Sequence, residues 1–416
     1  MFVGITNTPR DYAWGSTTAI AELLGTTPSG GPEAELWFGA HRLSPSRILD
    51  PASVGGYETL DAWIAADPDT TLGVDRSDDR LSFLLKVLAA DAPLSIQAHP
   101  STEQAEEGFA REDEAGVPLD SSDRNYKDRL AKPELTLALS PTFEVLAGFR
   151  EIATTRMLVA ELVATATVLS EKNRPPLEAL GRVLAGEDPL KNAVEWGFDG
   201  SDSAAALIAA IAETSDRMPS NSSFAREYAT LADLGRRHPG DPGILVALLL
   251  NRISIAQGRS VYLPARNVHA YLEGLAVEIM GASDNVLRGG LTPKHVDSDE
   301  LVRVVRWDPL PPPLFTSEEV APGVEVFRPD VPDFALARIA VGDAGALHGY
   351  QNTGAEFAEF APRGPAIVLV TEGELAVEGA RSSTTIRRGE AVFVTPDEEV
   401  LRFSGSGIAF VASANR

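Results

Sequence analysis

The chain of 416 residues contains no cysteine, which excludes disulfide bonds and thiolate metal sites and fits a reducing compartment. Basic residues are also scarce, with 36 Lys and Arg against 60 Asp and Glu and a formal net charge of -24. This balance argues against nucleic acid as a partner, because phosphate backbones bind to basic faces. A small anionic substrate stays compatible, since salt screens distant charges beyond roughly 8 Å and a local basic cluster can dominate a cleft.

Long apolar runs are missing as well. The longest run, Ile244–Leu250, is too short to span a bilayer. The first sixteen residues, MFVGITNTPRDYAWGS, lack the basic start and apolar core of a signal peptide. We therefore expect a cytoplasmic protein with no membrane partner. The hydrophobic content of 44% is that of an ordinary globular chain, and the length predicts two or three domains.

Three regions with different hydrophobic patterns predict a mainly β protein with an α-helical insert. Residues 1–150 and 243–310 carry short alternating strands, which we assign to one domain. Residues 151–242 place apolar side chains three and four apart, which predicts an insert of roughly four to six helices. Residues 311–416 show short strands separated by turns, as in a jelly roll or barrel. The histidine of this last region, His348, has no ligand-like neighbours in sequence, so we expect a structural or interface role for it.

The stretch 266–297 is the richest in candidate chemistry. Val268–Leu272 and Leu275–Met280 read as two short strands around a Glu-Gly pair. A two-residue hairpin there would place His269 directly opposite Glu278. Glu278 would also share its face with Ala276 and Met280. A carboxylate in such an apolar strand needs a partner, because burying it alone is costly. A metal, a basic side chain or a catalytic role would each explain it.

Two further strands carry polar side chains on one face. In the segment LSIQAHP, Ser95, Gln97 and His99 alternate with apolar residues, and side chains two apart lie roughly 6.5 Å apart at Cα, within reach of one ion. In residues 132–139, Lys132 and Glu134 share the polar face. Two imidazoles (His269 being the second), a carboxylate and an amide oxygen suit Zn²⁺, Fe²⁺, Mn²⁺ or Co²⁺. Spacing alone leaves the alternative open, since a histidine on a strand is more often a satisfied core residue.

Several segments together resemble the type I mannose-6-phosphate isomerases. They are PLSIQAHP (93–100), YKDRLAKPEL (126–135), HAYLEG (269–274) and VEIMGASDNVLRGGLTPKHVD (277–297), with YAWGS (12–16), AELWFGAH (34–41) and FLLKVLAA (83–90) in agreement. The resemblance runs in order from end to end of the chain. It implies two cupin-type β-barrels (jelly rolls) plus a helical domain, and an enzyme that interconverts mannose 6-phosphate and fructose 6-phosphate.

The resemblance also implies a cofactor, one Zn²⁺ per chain, and a set of site residues. The implied zinc ligands are Gln97, His99, Glu134 and His269. The implied active-site arginine is Arg288. One position departs from the family pattern: Ala131 stands where the family often has histidine, so any role of that histidine does not carry over. We expect a monomer that acts on a phosphorylated hexose.

Aldose–ketose isomerisation moves a proton between C1 and C2 through an enediol. Zinc would polarise the carbonyl, and a base must reach both carbons. Glu278 is the first candidate for the base and Lys132 the second. Arg288 and Lys294 are expected to clamp the phosphate or to neutralise the enediolate. The remaining candidates for contact with the substrate are Ser95, Lys86, Tyr271 and Asp284.

Other functions stay open at this point. A cupin oxygenase with Fe²⁺ would need an oxidisable substrate and no phosphate clamp, and the cationic residues Lys132, Arg288 and Lys294 speak against it. A non-catalytic sugar-phosphate-binding cupin is a second alternative, and Glu278 and Arg288 speak against that. Relaxed specificity toward other phosphorylated aldoses is a third.

Overall fold

The structure, a computed structural model, describes residues 1–74, 76, 78–343 and 354–415. The prediction for His348 falls outside the described residues. The strands are β1 (Phe2–Thr6), β2 (Glu35–Phe38), β3 (Arg47–Ile48), β4 (Phe83–Ala90), β5 (Gln97–Ala98), β6 (Glu134–Ala138), β7 (Thr142–Phe149), β8 (Leu250–Ala256), β9 (Ser260–Leu263), β10 (His269–Gly281), β11 (Leu287–Arg288), β12 (Leu314–Phe315), β13 (Glu318–Ala321), β14 (Val324–Phe327), β15 (Ala335–Val341), β16 (Phe357–Phe360), β17 (Arg363–Glu378), β18 (Ser383–Arg387), β19 (Ala391–Val394) and β20 (Leu401–Ala414).

The helices are α1 (Ala19–Leu24), α2 (Leu60–Ala66), α3 (Pro68–Leu72), α4 (Thr102–Glu114), α5 (Ile152–Leu169), α6 (Arg174–Val183), α7 (Pro189–Phe198), α8 (Asp202–Ser215), α9 (Ala225–Arg237), α10 (Gly243–Leu249) and α11 (Ser298–Val304). The predicted capping box at the start of α4 is present, because Ser101 and Gln104 bond each other's backbone N–H groups.

The strands form two antiparallel sheets, which confirms the predicted mainly β class. The first sheet contains β2 and β4 to β12, and the second contains β1, β3 and β13 to β20. The beginning of the chain thus belongs to the second sheet, where β1 pairs with β19 near the other end of the chain. Five helices, α5 to α9, lie within the predicted insert.

The two sheets pack face to face through one shared core. From the first sheet, Leu85, Leu137 and Val277 point into this core, where they meet Ile367 and Phe410 of the second sheet. Because side chains alternate along a strand, the residues between them point away from the core. The polar side chains of β4, β6 and β10 are therefore directed to the opposite face of the first sheet.

The helical insert packs behind the strand of the predicted ligands. Its core contains Leu162 and Leu207, and it continues into Ile96, Ala98 and Leu287 beside β5 and β11. Burial of Ile96 and Ala98 against the insert turns the residue between them, Gln97, toward the other side.

One insert helix, α5, is long and apolar enough to cross a membrane by length and composition, and it is alone in this among the described residues. A single helix of this kind is weak evidence, because core helices of soluble proteins pass the same test. Leu158 and Leu162 of α5 lie in the insert core. That the protein has no membrane partner stays a prediction.

The predicted hairpin at Glu273-Gly274 is wrong. β10 is one continuous strand, which pairs near its start with β5 and β7 and further on with β4 and β6. Gly274 has φ of +123°, and the register against β7 shifts just before it. The glycine therefore bends the strand without reversing it. His269 lies opposite Gln97, and Glu278 lies opposite Lys86.

Candidate metal centre and active-site cavity

Three of the four predicted metal ligands come together. One ligand atom each from His99, Glu134 and His269 lies within 4.8 Å of the other two, and all three residues are buried. The carboxylate lies between the rings, with Oε1 3.3 Å from Nε2 of His99 and Oε2 3.3 Å from Nε2 of His269. The fourth predicted ligand, Gln97, lies beside them because its backbone pairs with that of His269 between β5 and β10.

The second nitrogen of each imidazole is held by a backbone carbonyl. Nδ1 of His99 donates to the carbonyl of Asn285 at 2.7 Å, and Nδ1 of His269 donates to that of Asn267 at 3.2 Å. This arrangement leaves Nε2 of each ring with its lone pair directed at the carboxylate, as in histidines that bind a metal. Nε2 of His99 is buried and has no hydrogen-bond partner among the residues that the structure describes.

The protonation states also suit a cation. Burial and the ammonium of Lys132 lower the pKa of His99 to about 4, so the ring is neutral at pH 7. Burial alone would raise the pKa of Glu134, but Lys132 and the nearby imidazoles hold it well below its ordinary value. A neutral imidazole, an ionised carboxylate and an orphaned ring nitrogen fit a divalent metal with mixed N and O ligands.

A second carboxylate, Glu278, occupies the same face of the sheet. It is 1% exposed, and its Oε2 lies 3.1 Å from the ammonium of Lys86 on the neighbouring strand. Its Oε1 accepts a hydrogen bond of 2.8 Å from the hydroxyl of Tyr271, which also lies 3.4 Å from Oε2 of Glu134. Tyr271 thus bridges the two buried carboxylates.

Glu278 and Glu35 share one cation, Lys86. Burial would lower the pKa of Lys86, but the carboxylates of Glu35 and Glu278 raise it above its ordinary value, so it stays protonated. Burial raises the pKa of Glu278, and Lys86 offsets this only in part because Glu134 and Glu35 oppose it. Burial and both carboxylates raise the pKa of Tyr271 well above its usual range, so the phenol keeps its proton.

Arg288 and Lys294 differ from the other cations of the site. Lys86 and Lys132 are each paired with a carboxylate, at 3.1 Å for Glu278 and 3.0 Å for Glu134. In the part of the chain that the structure describes, neither Arg288 nor Lys294 makes an ion pair. Burial lowers the pKa of Arg288, and burial together with Arg288 lowers the pKa of Lys294. Two cations in the wall of one cavity, neither in an ion pair with a described residue, favour an anion beside them.

Most of these groups line one cavity of about 710 Å³. The predicted site residues that line it are Lys86, Ser95, Gln97, Lys132, Glu134, His269, Tyr271, Glu278, Asp284, Arg288 and Lys294. His99 is not part of the lining and reaches the site through Glu134. Asp284 accepts from Nε2 of His41 at 3.0 Å and from Arg42 at 2.9 Å. Burial opposes its ionisation, but the bond from His41 keeps the pKa of Asp284 below its ordinary value.

Sequence reasoning missed part of the lining. Trp37 stands over Lys86, with the ammonium 5.2 Å from the ring centroid, and donates a 2.8 Å hydrogen bond to Glu35. Alternation along β2 does place Glu35 and Trp37 on one face, so this signal was available. Arg237 and His238, at the end of α9, also line the cavity. Nothing local to that helix end indicates that it reaches the metal centre.

Comparison with known proteins places the chain in a family. Residues 2–152 match the catalytic domain of type I phosphomannose isomerases. The mannose-6-phosphate isomerase of Escherichia coli is 35% identical over 96% of both chains, and that of Shigella flexneri is 34% identical over the same shares. The chain belongs to the type I mannose-6-phosphate isomerase family. The resemblance seen in the sequence is thereby confirmed.

Solved structures agree with this family over the whole chain. A crystal structure of a mannose 6-phosphate isomerase bound with zinc and yttrium superimposes with a TM-score of 0.84 at 31% identity, and covers 100% of both chains. The relatives of the type I isomerase family therefore share the complete architecture, including the helical insert. The chain is an isomerase of this family.

Proposed function

We propose that the chain interconverts mannose 6-phosphate and fructose 6-phosphate with the help of one bound zinc ion. The observation that carries this is the position of His99, Glu134 and His269, whose ligand atoms lie within 4.8 Å of one another beside a cavity lined by two cations, Arg288 and Lys294, that make no ion pair with any described residue. A metal centre beside an anion site is what the isomerisation of a sugar phosphate requires. Family membership supports the same substrate pair.

Gln97, His99, Glu134 and His269 would hold the zinc ion. When bound, zinc supplies a Lewis acid that polarises the sugar carbonyl and stabilises the charge that develops in the enediol. The chain itself prepares the ligands: the carbonyls of Asn285 and Asn267 set the tautomers of the two imidazoles, and Lys132 keeps Glu134 ionised.

Glu278 is the proposed carrier of the proton between C1 and C2. Glu278 does not lie opposite His269. The support for this role is its place in the cavity wall, where hydrogen bonds through Tyr271 link it to Glu134. A raised pKa brings a carboxylate closer to neutral pH, where general bases act well. Lys132, 3.0 Å from Glu134, remains the second candidate.

Arg288 and Lys294 are the proposed phosphate clamp. Neither is neutralised by a carboxylate in the described part of the chain, whereas Lys86 and Lys132 are. Burial and, after it, repulsion by Arg288 lower the pKa of Lys294, and a phosphate dianion beside the two cations would relieve that repulsion. Ser95, Tyr271 and Asp284 line the space between this clamp and the metal ligands and are proposed as contacts for the sugar hydroxyls.

The remaining expectations extend this proposal. The domains are taken as 1–150 with 243–310, 151–242 and 311–416, and each sheet region as a cupin-type barrel, in keeping with the likeness to solved isomerases. We also propose that the protein is a cytoplasmic monomer with no nucleic-acid or membrane partner.

An isomerase assay coupled to consumption of fructose 6-phosphate tests the function. Mannose 6-phosphate should be converted, a chelator should abolish conversion, and added zinc should restore it. No conversion by zinc-loaded protein would refute the proposal. Oxygen consumption in the presence of Fe²⁺ would instead support an oxygenase.

A further inference from the structure

The turn that follows the helical insert touches the loop of the proposed phosphate clamp. Oδ1 of Asp241 accepts a hydrogen bond of 2.7 Å from the backbone N–H of Gly243 and one of 2.8 Å from the N–H of Leu291. One carboxylate oxygen thus joins two turns that lie 50 residues apart in the chain. Leu291 stands midway between Arg288 and Lys294.

The loop adopts a conformation that needs support from its surroundings. Leu291 has φ of +57°, a left-handed value that is sterically unfavourable for a residue with a side chain. Such conformations persist where the neighbouring structure determines them. Asp241 supplies that support to the N–H of Leu291, while the side chain of Leu291 is buried in the insert core.

The contact is also tight enough to leave room only for glycine. A Cβ on Gly290, which has φ of +105°, would lie 2.5 Å from Oδ1 of Asp241 and 2.6 Å from Cα of Gly243. A Cβ on Gly243 would lie 2.8 Å from the same oxygen and from the nitrogen of Leu291. The two turns therefore pack backbone against backbone, and the carboxylate fits between them.

On its other side the loop is tied to the strand of the metal ligands. The N–H of Gly289 donates to the carbonyl of Ile96 at 2.8 Å, and the N–H of Ile96 donates to the carbonyl of Gly290 at 3.1 Å. Ile96 directly precedes Gln97. The clamp loop thus has two anchors: one beside the metal centre and one, Asp241, at the end of the helical insert.

We propose that Asp241 is a positioning residue, which holds the Arg288–Lys294 loop at the distance from the metal centre that one sugar phosphate spans. Asp241 does not line the cavity, so it acts through the loop. The helical insert, which carries Asp241 at its end, then contributes to substrate binding through this loop. This inference rests on the proposed function, since it gives the loop the task of holding the phosphate.

The test compares three variants of the full chain loaded with zinc. Asp241→Ala removes both acceptor contacts, Asp241→Asn keeps an acceptor oxygen at the same place, and Asp216→Ala removes an exposed insert carboxylate that pairs with Arg236. We expect Asp241→Ala to raise KM for mannose 6-phosphate about tenfold, since the two hydrogen bonds that hold the loop are lost. Its zinc content should match that of the unmodified protein, kcat should change much less than KM, and the other two variants should behave normally.

Limited digestion with trypsin reports on the conformation of the Arg288–Lys294 loop and does not depend on enzyme activity. In Asp241→Ala the bonds after Arg288 and Lys294 should be cut faster than in the unmodified protein or in Asp216→Ala. Unchanged KM and unchanged cleavage in Asp241→Ala would overturn the inference, and so would equal defects in zinc content, kcat and melting temperature. An unmodified protein that lacks isomerase activity would refute the proposed function, while the digestion would still decide whether Asp241 anchors the loop.

Discussion

Tyr271 donates a hydrogen bond of 2.8 Å to Glu278, although the two residues lie seven positions apart on the same strand. On a regular strand an odd spacing would send the two side chains to opposite faces. The register shift beside Gly274 removes that difference, so both side chains line the cavity. The irregularity in β10 is therefore what brings the phenol between Glu278 and Glu134.

Glu278→Gln should separate proton transfer from metal binding. The amide preserves the volume and a hydrogen bond with Tyr271 but removes the basic oxygen. We expect zinc content to stay normal and kcat to fall roughly 10²- to 10⁴-fold, the usual worth of a positioned base. The assay is steady-state kinetics alongside metal analysis. Near-normal turnover would remove Glu278 from this role and direct attention to Lys132.

His269→Ala should lose the metal. The substitution removes one imidazole whose Nε2 lies 3.3 Å from Glu134, and the remaining ligands would bind zinc more weakly. The measurement is zinc per chain after dialysis against a weak chelator. His295→Ala is the matched control, because His295 is exposed and lies outside the cavity lining. Full zinc retention in His269→Ala would contradict the ligand assignment.

Lys294→Met should weaken the binding of substrate more than it slows the reaction. Loss of a charged partner of phosphate is worth about 1.5–3 kcal/mol, so KM for mannose 6-phosphate should rise roughly 10- to 100-fold. Added salt should reduce the difference in KM between this variant and the unmodified protein, because salt screens the attraction between Lys294 and the phosphate in the unmodified protein.

The control for this prediction is Arg303→Met. It removes the same charge from α11, where the side chain is 60% exposed and pairs with Glu300. We expect no change in KM for that variant. Inhibition constants of inorganic phosphate should follow the same order as the KM values. If both variants behaved alike, Lys294 would act through net charge and not through contact.

Glu398 should make stability depend on pH. Burial would raise its pKa, but the amino group of Met1, the hydroxyl of Ser382 and the N–H groups of Arg381 and Ser382 lower the pKa to about 2. A carboxyl with a depressed folded pKa stabilises the protein above its unfolded pKa, which is about 4.5, and this contribution is lost as pH falls toward 2.

Glu398→Gln should therefore unfold more readily than the unmodified protein at pH 7, and the difference should shrink between about pH 4.5 and pH 2. Denaturant titrations at several pH values measure it. Glu399→Gln changes an exposed neighbour and should not alter the curve. A difference that stays constant over this pH range would show that the carboxylate contributes through packing alone.

Local patterns in the sequence predicted much of this molecule. Alternation in the segments of β5 and β6 correctly assigned which side chains leave the core, and the three-and-four spacing located the helices of the insert. The reason is that the pleat of a strand and the turn of a helix are properties of neighbouring residues. The same alternation assigned Glu278 to the face of Met280, even though the hairpin built on it was wrong.

The tertiary structure alone decided which groups meet. That β10 continues through Gly274, that Glu278 shares Lys86 with Glu35, and that the insert reaches the cavity through Arg237 and His238 all depend on pairings between distant segments. Such pairings follow from how sheets and helices pack, and the sequence of one segment does not show which distant segment will pair with it. The residue types for a metal centre were readable from the chain; their meeting point was settled by the fold.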